Sequence, residues 1–181
     1  MEFKTLSKEE AKRELSGLIG NFQNNIRYYE QPSYKESRVE TEYIERLFEL
    51  LGWDIRNLNG LSDIYKDVIK RDTVEIEGHA KEPDYAFTIG GNRIFFVEAK
   101  KPADSIESGG GYAFQLRRYA WNSKKPISIL TNFKEFSVYD CRIKPNKQDK
   151  ASVGRVFYVK FEDYIKNFDL RYAYKVTSSP S

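Results

Sequence analysis

Three side chains stand where metal-assisted chemistry could be done: Asp84, directly behind Pro83, and the pair Glu98 and Lys100. In the run Arg93–Lys100 successive side chains should alternate between faces. That puts Ile94, Phe96, Glu98 and Lys100 on one face and Phe95, Val97 and Ala99 on the other. Both faces begin apolar, as in a central strand covered on both sides. Glu98 and Lys100 then fall at its C-terminal end. Taken alone, a Glu-x-Lys pair is more simply a weak salt bridge. Asp84 changes the balance, because it opens a strand expected to pair beside Glu98. Carboxylates brought together repel unless a proton or cation lies between them. A divalent metal is the simplest resolution, and it would polarise a phosphoryl oxygen and acidify a bound water. Lys100 would orient that water or neutralise charge growing on the phosphate, and the Ala99 carbonyl would add an oxygen ligand.

The rest of the composition narrows the same choice. The chain has one histidine (His79) and one cysteine (Cys141), so an internal disulfide, a cysteine-built zinc site and a histidine-pair metal site are excluded. Neither residue is expected to have a functional role. A metal here must be held by carboxylates, which favours a hard cation such as Mg²⁺. A net charge of +3 is compatible with a nucleic-acid partner without demanding one. With 40% hydrophobic and 31% charged residues the chain reads as an ordinary globular protein with a core of its own. No apolar run is long enough to span a bilayer, and the N-terminus lacks a signal-peptide core, so a cytoplasmic location is expected.

These residues must be positioned by an α/β framework. Residues 8–29 read as an amphipathic helix opened by a capping box at Ser7 and Glu10. A second helix is expected over 35–51, with Ile44, Leu47, Phe48 and Leu51 inward and Glu42, Glu45, Arg46 and Glu49 in solvent. Residues 62–69 suit a short helix, or Val68-Ile69 opens a strand. Strands are expected at 73–77, at 84–89 and 93–99 (a hairpin around Gly90-Gly91-Asn92), at 127–131, 136–139 and 156–159. A loop at 109–111 precedes a helix near 112–122, and a closing helix is expected over 161–173. Trp53 and Trp121 are expected in the core. One mixed sheet flanked by helices follows. The division is an N-terminal helical extension (1–34), a core (35–142), a C-terminal strand and helix completing it (143–176), and a disordered tail (177–181).

Further candidates lie on the helices. Glu40 shares the inward stripe with Ile44 and Leu47, and Glu36 lies one turn earlier; a carboxylate on an apolar stripe is unexpected unless paired. The plainer reading is a first-turn acid stabilised by the helix dipole. Gln115 and Tyr119 are four apart and share a helix face, where they suit phosphate oxygens or, equally, a buried tyrosine and a strand-end contact. Lys101 falls close enough to the same strand end to meet a phosphate.

Several stretches together resemble a known superfamily. They are Glu36-Ser37-Arg38-Val39-Glu40 with Leu51-Gly52-Trp53-Asp54; Glu82-Pro83-Asp84-Tyr85-Ala86-Phe87; Phe96-Val97-Glu98-Ala99-Lys100-Lys101-Pro102; Phe114-Gln115-Leu116-Arg117-Arg118-Tyr119-Ala120-Trp121; and Ile129-Leu130-Thr131-Asn132-Phe133 through Val138-Tyr139-Asp140. Over about residues 35–142 the chain resembles PD-(D/E)xK nucleases, in particular the N-terminal nuclease domains of type IIG enzymes and type I restriction subunits. The resemblance implies a restriction-endonuclease-like α/β core and Mg²⁺-dependent hydrolysis of double-stranded DNA leaving a 5′-phosphate, with Mn²⁺ expected to substitute. Asp84 and Glu98 would hold metal, Lys100 would be the catalytic lysine, and Gln115 and Tyr119 would match a Q-x-x-x-Y motif. An acid on the first core helix, Glu40 before Glu36, would help bind metal.

No methyltransferase motif or P-loop is present. The resemblance therefore implies an excised or stand-alone nuclease domain, with methylation and target recognition on a region or subunit outside these residues, and transient dimerisation to cut both strands. Competing readings are a repair or junction-resolving nuclease of the same fold, a catalytically silent DNA-binding module and a structural interaction domain. Fold and triad alone do not separate the first of these from restriction.

Overall fold

A computed structural model describes residues 2–71, 74–76, 79–170 and 173–175, with backbone alone for 74–76 and 79–81. Its centre is a six-stranded sheet in the order β1-β4-β5-β6-β7-β8, formed by β1 (Val68–Lys70), β4 (Tyr85–Ile89), β5 (Asn92–Ala99), β6 (Ile127–Thr131), β7 (Glu135–Asp140) and β8 (Arg155–Lys160). Neighbours are antiparallel except β5 and β6, which run parallel. A parallel pair needs a crossover, and helix α5 (Gly110–Asn122) supplies it. A separate hairpin joins β2 (Val74–Ile76) to β3 (His79–Lys81). The expected mixed sheet flanked by helices, a restriction-endonuclease-like α/β core, is what the chain forms.

Alternation along β5 divides the core in two. Phe95, Val97 and Ala99 join the larger apolar cluster beneath helices α1 (Lys8–Asn24), α3 (Glu36–Val39) and α4 (Glu45–Leu50), together with Leu15, Phe22, Leu47, Phe48 and Trp53. Phe96 faces the smaller cluster under α5, with Ala86, Leu116 and Leu130. Both faces of β5 are thus covered. Trp53 is buried and donates through Nε1 to the Ala173 carbonyl at 2.6 Å. The Ser7–Glu10 capping box is present at the start of α1.

Several expectations are corrected. The first helix stops at Asn24 and resumes only as α2 (Ile26–Tyr29), with Asn25 out of helical geometry between them. The helix expected over 35–51 contains a π-turn at Glu40–Ile44 between α3 and α4. A π-turn carries wider i→i+5 closure, so the face rotates, and Glu45 is buried instead of solvated. Residues 62–69 divide into a 3₁₀ turn at Asp63–Tyr65 followed by β1. Helix α5 starts at Gly110, inside the expected loop. No long closing helix forms: Phe161–Asp163 is a 3₁₀ turn and residues 164–170 are turns. Trp121 is 38% exposed at the end of α5, outside the core. The tail 177–181, the ends of the strand expected at 73–77 and the His79 side chain lie outside the described residues.

Candidate active site

The hairpin brings the predicted triad to one end of the sheet. Tyr85 pairs with Val97, so Asp84 lies just beyond the last pair, level with Glu98 and Ala99. Its Oδ2 accepts the Ala99 backbone N–H at 2.8 Å. The edge of β5 therefore fixes the aspartate beside the Glu98-Ala99-Lys100 segment. Lys100 Nζ donates to Glu98 Oε1 at 2.9 Å and to the Ala99 carbonyl at 2.7 Å. Gln115 Nε2, reaching down from α5, donates to the same Glu98 oxygen at 2.7 Å. Tyr119, one turn later, is buried. Lys101 points away to the Pro32 carbonyl at 3.1 Å.

On the opposite side of the sheet, Tyr85 extends the cluster. Its hydroxyl lies 3.2 Å from Glu40 Oε2 and 3.1 Å from Glu45 Oε1, and Lys70 Nζ reaches Glu45 Oε1 at 2.8 Å. Arg71 spans the two sides, 3.4 Å from Asp84 Oδ1 and 3.6 Å from Glu40 Oε1. Sequence reasoning selected Glu40 but missed Tyr85, Glu45, Lys70 and Arg71. Tyr85 follows Asp84 on the strand, and period-two alternation, applied across the sheet, pointed it at the Glu40 helix. Arg71 gave no signal, because its left-handed backbone (φ 50°) follows β1 in a turn.

Burial raises the cost of charge here. Glu98 is pushed from 4.5 up to about 7, first by burial and then by the Asp84 charge, with Lys100 opposing both. Burial also disfavours the Lys100 ammonium, but Glu98, Glu36 and Asp84 outweigh it and hold its pKa above the usual lysine range. Glu40 is raised by burial and by Asp84. Half-buried Glu36 is raised by burial as well, against the pull of Lys100. Four carboxylates thus share one electrostatic neighbourhood.

Two of their oxygens are buried with no hydrogen-bond partner: Glu98 Oε2, and Glu40 Oε1, which has only the Arg71 guanidinium at 3.6 Å. Buried polar atoms are ordinarily satisfied, so these fit a cation. Among the described residues no three His, Cys, Asp or Glu side chains are gathered to hold a metal by themselves. The donor set therefore suits an ion that keeps part of its shell as water and substrate oxygens, as Mg²⁺ does.

With this geometry in view, residues 68–147 match the family described as "Type I restriction enzyme R protein N terminus". The chain is 33% identical over 160 residues to the type II restriction enzyme and methyltransferase RM.Eco57I of Escherichia coli. Both matches support a restriction-enzyme nuclease-like domain. That alignment takes in 87% of this chain and 16% of the Escherichia coli protein, so the chain spans about a sixth of its relative's length. No solved structure matches the chain significantly. Among the described residues no helix is long and apolar enough to cross a membrane.

Proposed function

We propose that this domain is a Mg²⁺-dependent endonuclease of the PD-(D/E)xK kind that hydrolyses phosphodiester bonds of double-stranded DNA within a restriction-modification system. The observation that carries the reading is the convergence at the end of β5: Asp84 held by the Ala99 N–H at 2.8 Å, and Glu98 held by Lys100 at 2.9 Å. Asp84, Glu98 and the Ala99 carbonyl would hold the metal, with Glu40 and Glu36 close enough in charge to share in it. Bound there, Mg²⁺ would polarise the scissile phosphate and make a water molecule acidic enough to attack.

The chain's own side chains do the rest. Lys100, kept protonated by its acidic neighbours, places positive charge where the phosphate gains negative charge. Gln115 fixes the Glu98 carboxylate in one orientation, as outer-shell partners do for metal ligands. Arg71, at 59% side-chain exposure, is available to a phosphate oxygen while still touching Asp84. Target recognition and methylation would be supplied from outside these residues, a division supported by the combined restriction and methyltransferase description of the Escherichia coli relative. Double-strand cleavage would use two copies meeting transiently on DNA.

Plasmid nicking and linearisation with Mg²⁺ test this. Wild type should cleave, whereas Asp84→Ala and Lys100→Ala should lose cleavage while keeping their fold. Equal activity in all three would overturn the assignment.

A further inference from the structure

Trp121, expected in the core and found at its rim, is the last of three residues that form a row along α5. Gln115, Arg118 and Trp121 follow one another at intervals of three, the spacing of surface neighbours on a helix, and Lys124 follows in the turn just beyond it. The row begins at the catalytic carboxylate, where Gln115 meets Glu98. It then passes Arg118, whose Nε is buried without a hydrogen-bond partner and whose guanidinium lies 5.7 Å from the Phe114 ring. It ends in a recess of about 260 Å³ lined by Trp121, Lys124, Lys125, Pro126, Cys141 and Arg142.

The chemistry of that recess is an aromatic face among cations. Arg142 is paired with Asp140, but Lys124 and Lys125 have no acidic partner among the described residues. Lys124 also occupies a costly place. The helix closes with Lys125 N–H on the Ala120 carbonyl (2.8 Å) and Lys124 N–H on the Trp121 carbonyl (3.1 Å), which sets Lys124 at φ 54°. Glycine is the favoured residue at that left-handed position. Lys124, held there, lines the same recess as the exposed Trp121.

We infer that this row is a strand-holding track: Trp121 stacks on an unpaired nucleobase of the bound nucleic acid while Arg118, Lys124 and Lys125 take its phosphates. Positive side chains interleaved with an aromatic platform are how proteins grip single strands without reading sequence. Continuity with the catalytic end through Gln115 makes the occupant the part of the substrate strand that runs on from the scissile bond toward the start of β6. The inference rests on the nuclease reading and adds to it a contact with an unpaired, flanking segment.

The test compares binding of a duplex carrying a single-stranded extension with binding of the blunt duplex, with Ca²⁺ in place of Mg²⁺. Wild type should prefer the extended duplex, and Trp121→Ala should lose roughly tenfold in affinity for it. Lys124→Gly, which suits the left-handed position, should fold at least as well and lower the salt dependence of binding (log K against log salt) by about 0.7. Trp53 is buried and Trp121 is the only other tryptophan, so the extension should quench a fluorescence signal that Trp121→Phe removes. Wild type that nicks plasmid yet binds both duplexes equally overturns the track and leaves the nuclease reading standing. Preference for the extension without nicking supports the track alone, and wild type that neither binds nor nicks overturns both. Unchanged affinity in Trp121→Ala also overturns the track.

Discussion

Replacing Glu98 with glutamine should stabilise the protein far more at pH 8 than at pH 5. Burial, with the Asp84 charge, pushes the Glu98 carboxyl from 4.5 to about 7. Between those values the folded chain binds a proton that the unfolded chain releases, so stability falls as pH rises through that window. At roughly 1.4 kcal/mol per pH unit, the interval from 4.5 to 7 corresponds to about 3 kcal/mol withheld from the native state at pH 8. Glutamine carries no charge to desolvate and keeps an acceptor for Lys100 Nζ and Gln115 Nε2. For a chain of this size that difference raises Tm by about 6–12 °C. The assay is thermal unfolding of wild type and Glu98→Gln in EDTA at pH 5 and pH 8. Glu36 and Glu40 are present in both proteins, so the change in the difference between the two pH values reports Glu98. A difference that is the same at both would refute the claim that burial of this carboxylate strains the metal-free fold.

Other perturbations follow from the same contacts. Tyr85→Phe removes the hydroxyl at 3.2 Å from Glu40, whereas Glu45 retains Lys70; a loss of about 1–2 kcal/mol should appear in urea denaturation. Gly91→Ala places a Cβ 2.8 Å from the Ile64 carbonyl at φ +80°, and the left-handed conformation alone should cost about 1–2 kcal/mol by the same measurement. Gln115→Ala frees Glu98 from its 2.7 Å donor, and Mg²⁺-dependent cleavage should fall by roughly 10–100-fold with far-ultraviolet circular dichroism unchanged.

The triad was legible because it rests on a period-two argument over a short hairpin. Alternation fixed which of Glu98, Ala99 and Lys100 share a face, and the Gly90-Gly91-Asn92 turn fixed which strand Asp84 opens. The helical stripe through Glu40 was less reliable, because a π-turn at Glu40–Ile44 shifts the downstream register; the 3.6-residue period placed Glu45 in solvent, and it lies against Tyr85. At the C-terminus Phe161, Tyr164, Phe168 and Ala173 are all buried, yet they are carried by successive turns. Spacing of buried residues records which side chains face the core, and turns can satisfy it as well as a helix. Trp121 was misplaced for a related reason: hydrophobicity favours the interior, but the residue stands at the last turn of α5, where the sheet no longer covers it. Arg71 was invisible because its reach to Asp84 and Glu40 depends on a turn conformation that no local pattern announces.

The central claim is that Asp84, Glu98 and the Ala99 carbonyl form one cation site, and a crystal soaked in Mn²⁺ tests it most directly. An anomalous peak touching those three oxygen donors is expected, with Lys100 Nζ withdrawn from the Ala99 carbonyl. A soaked crystal with no peak between the two carboxylates, or with manganese bound only elsewhere, would contradict it.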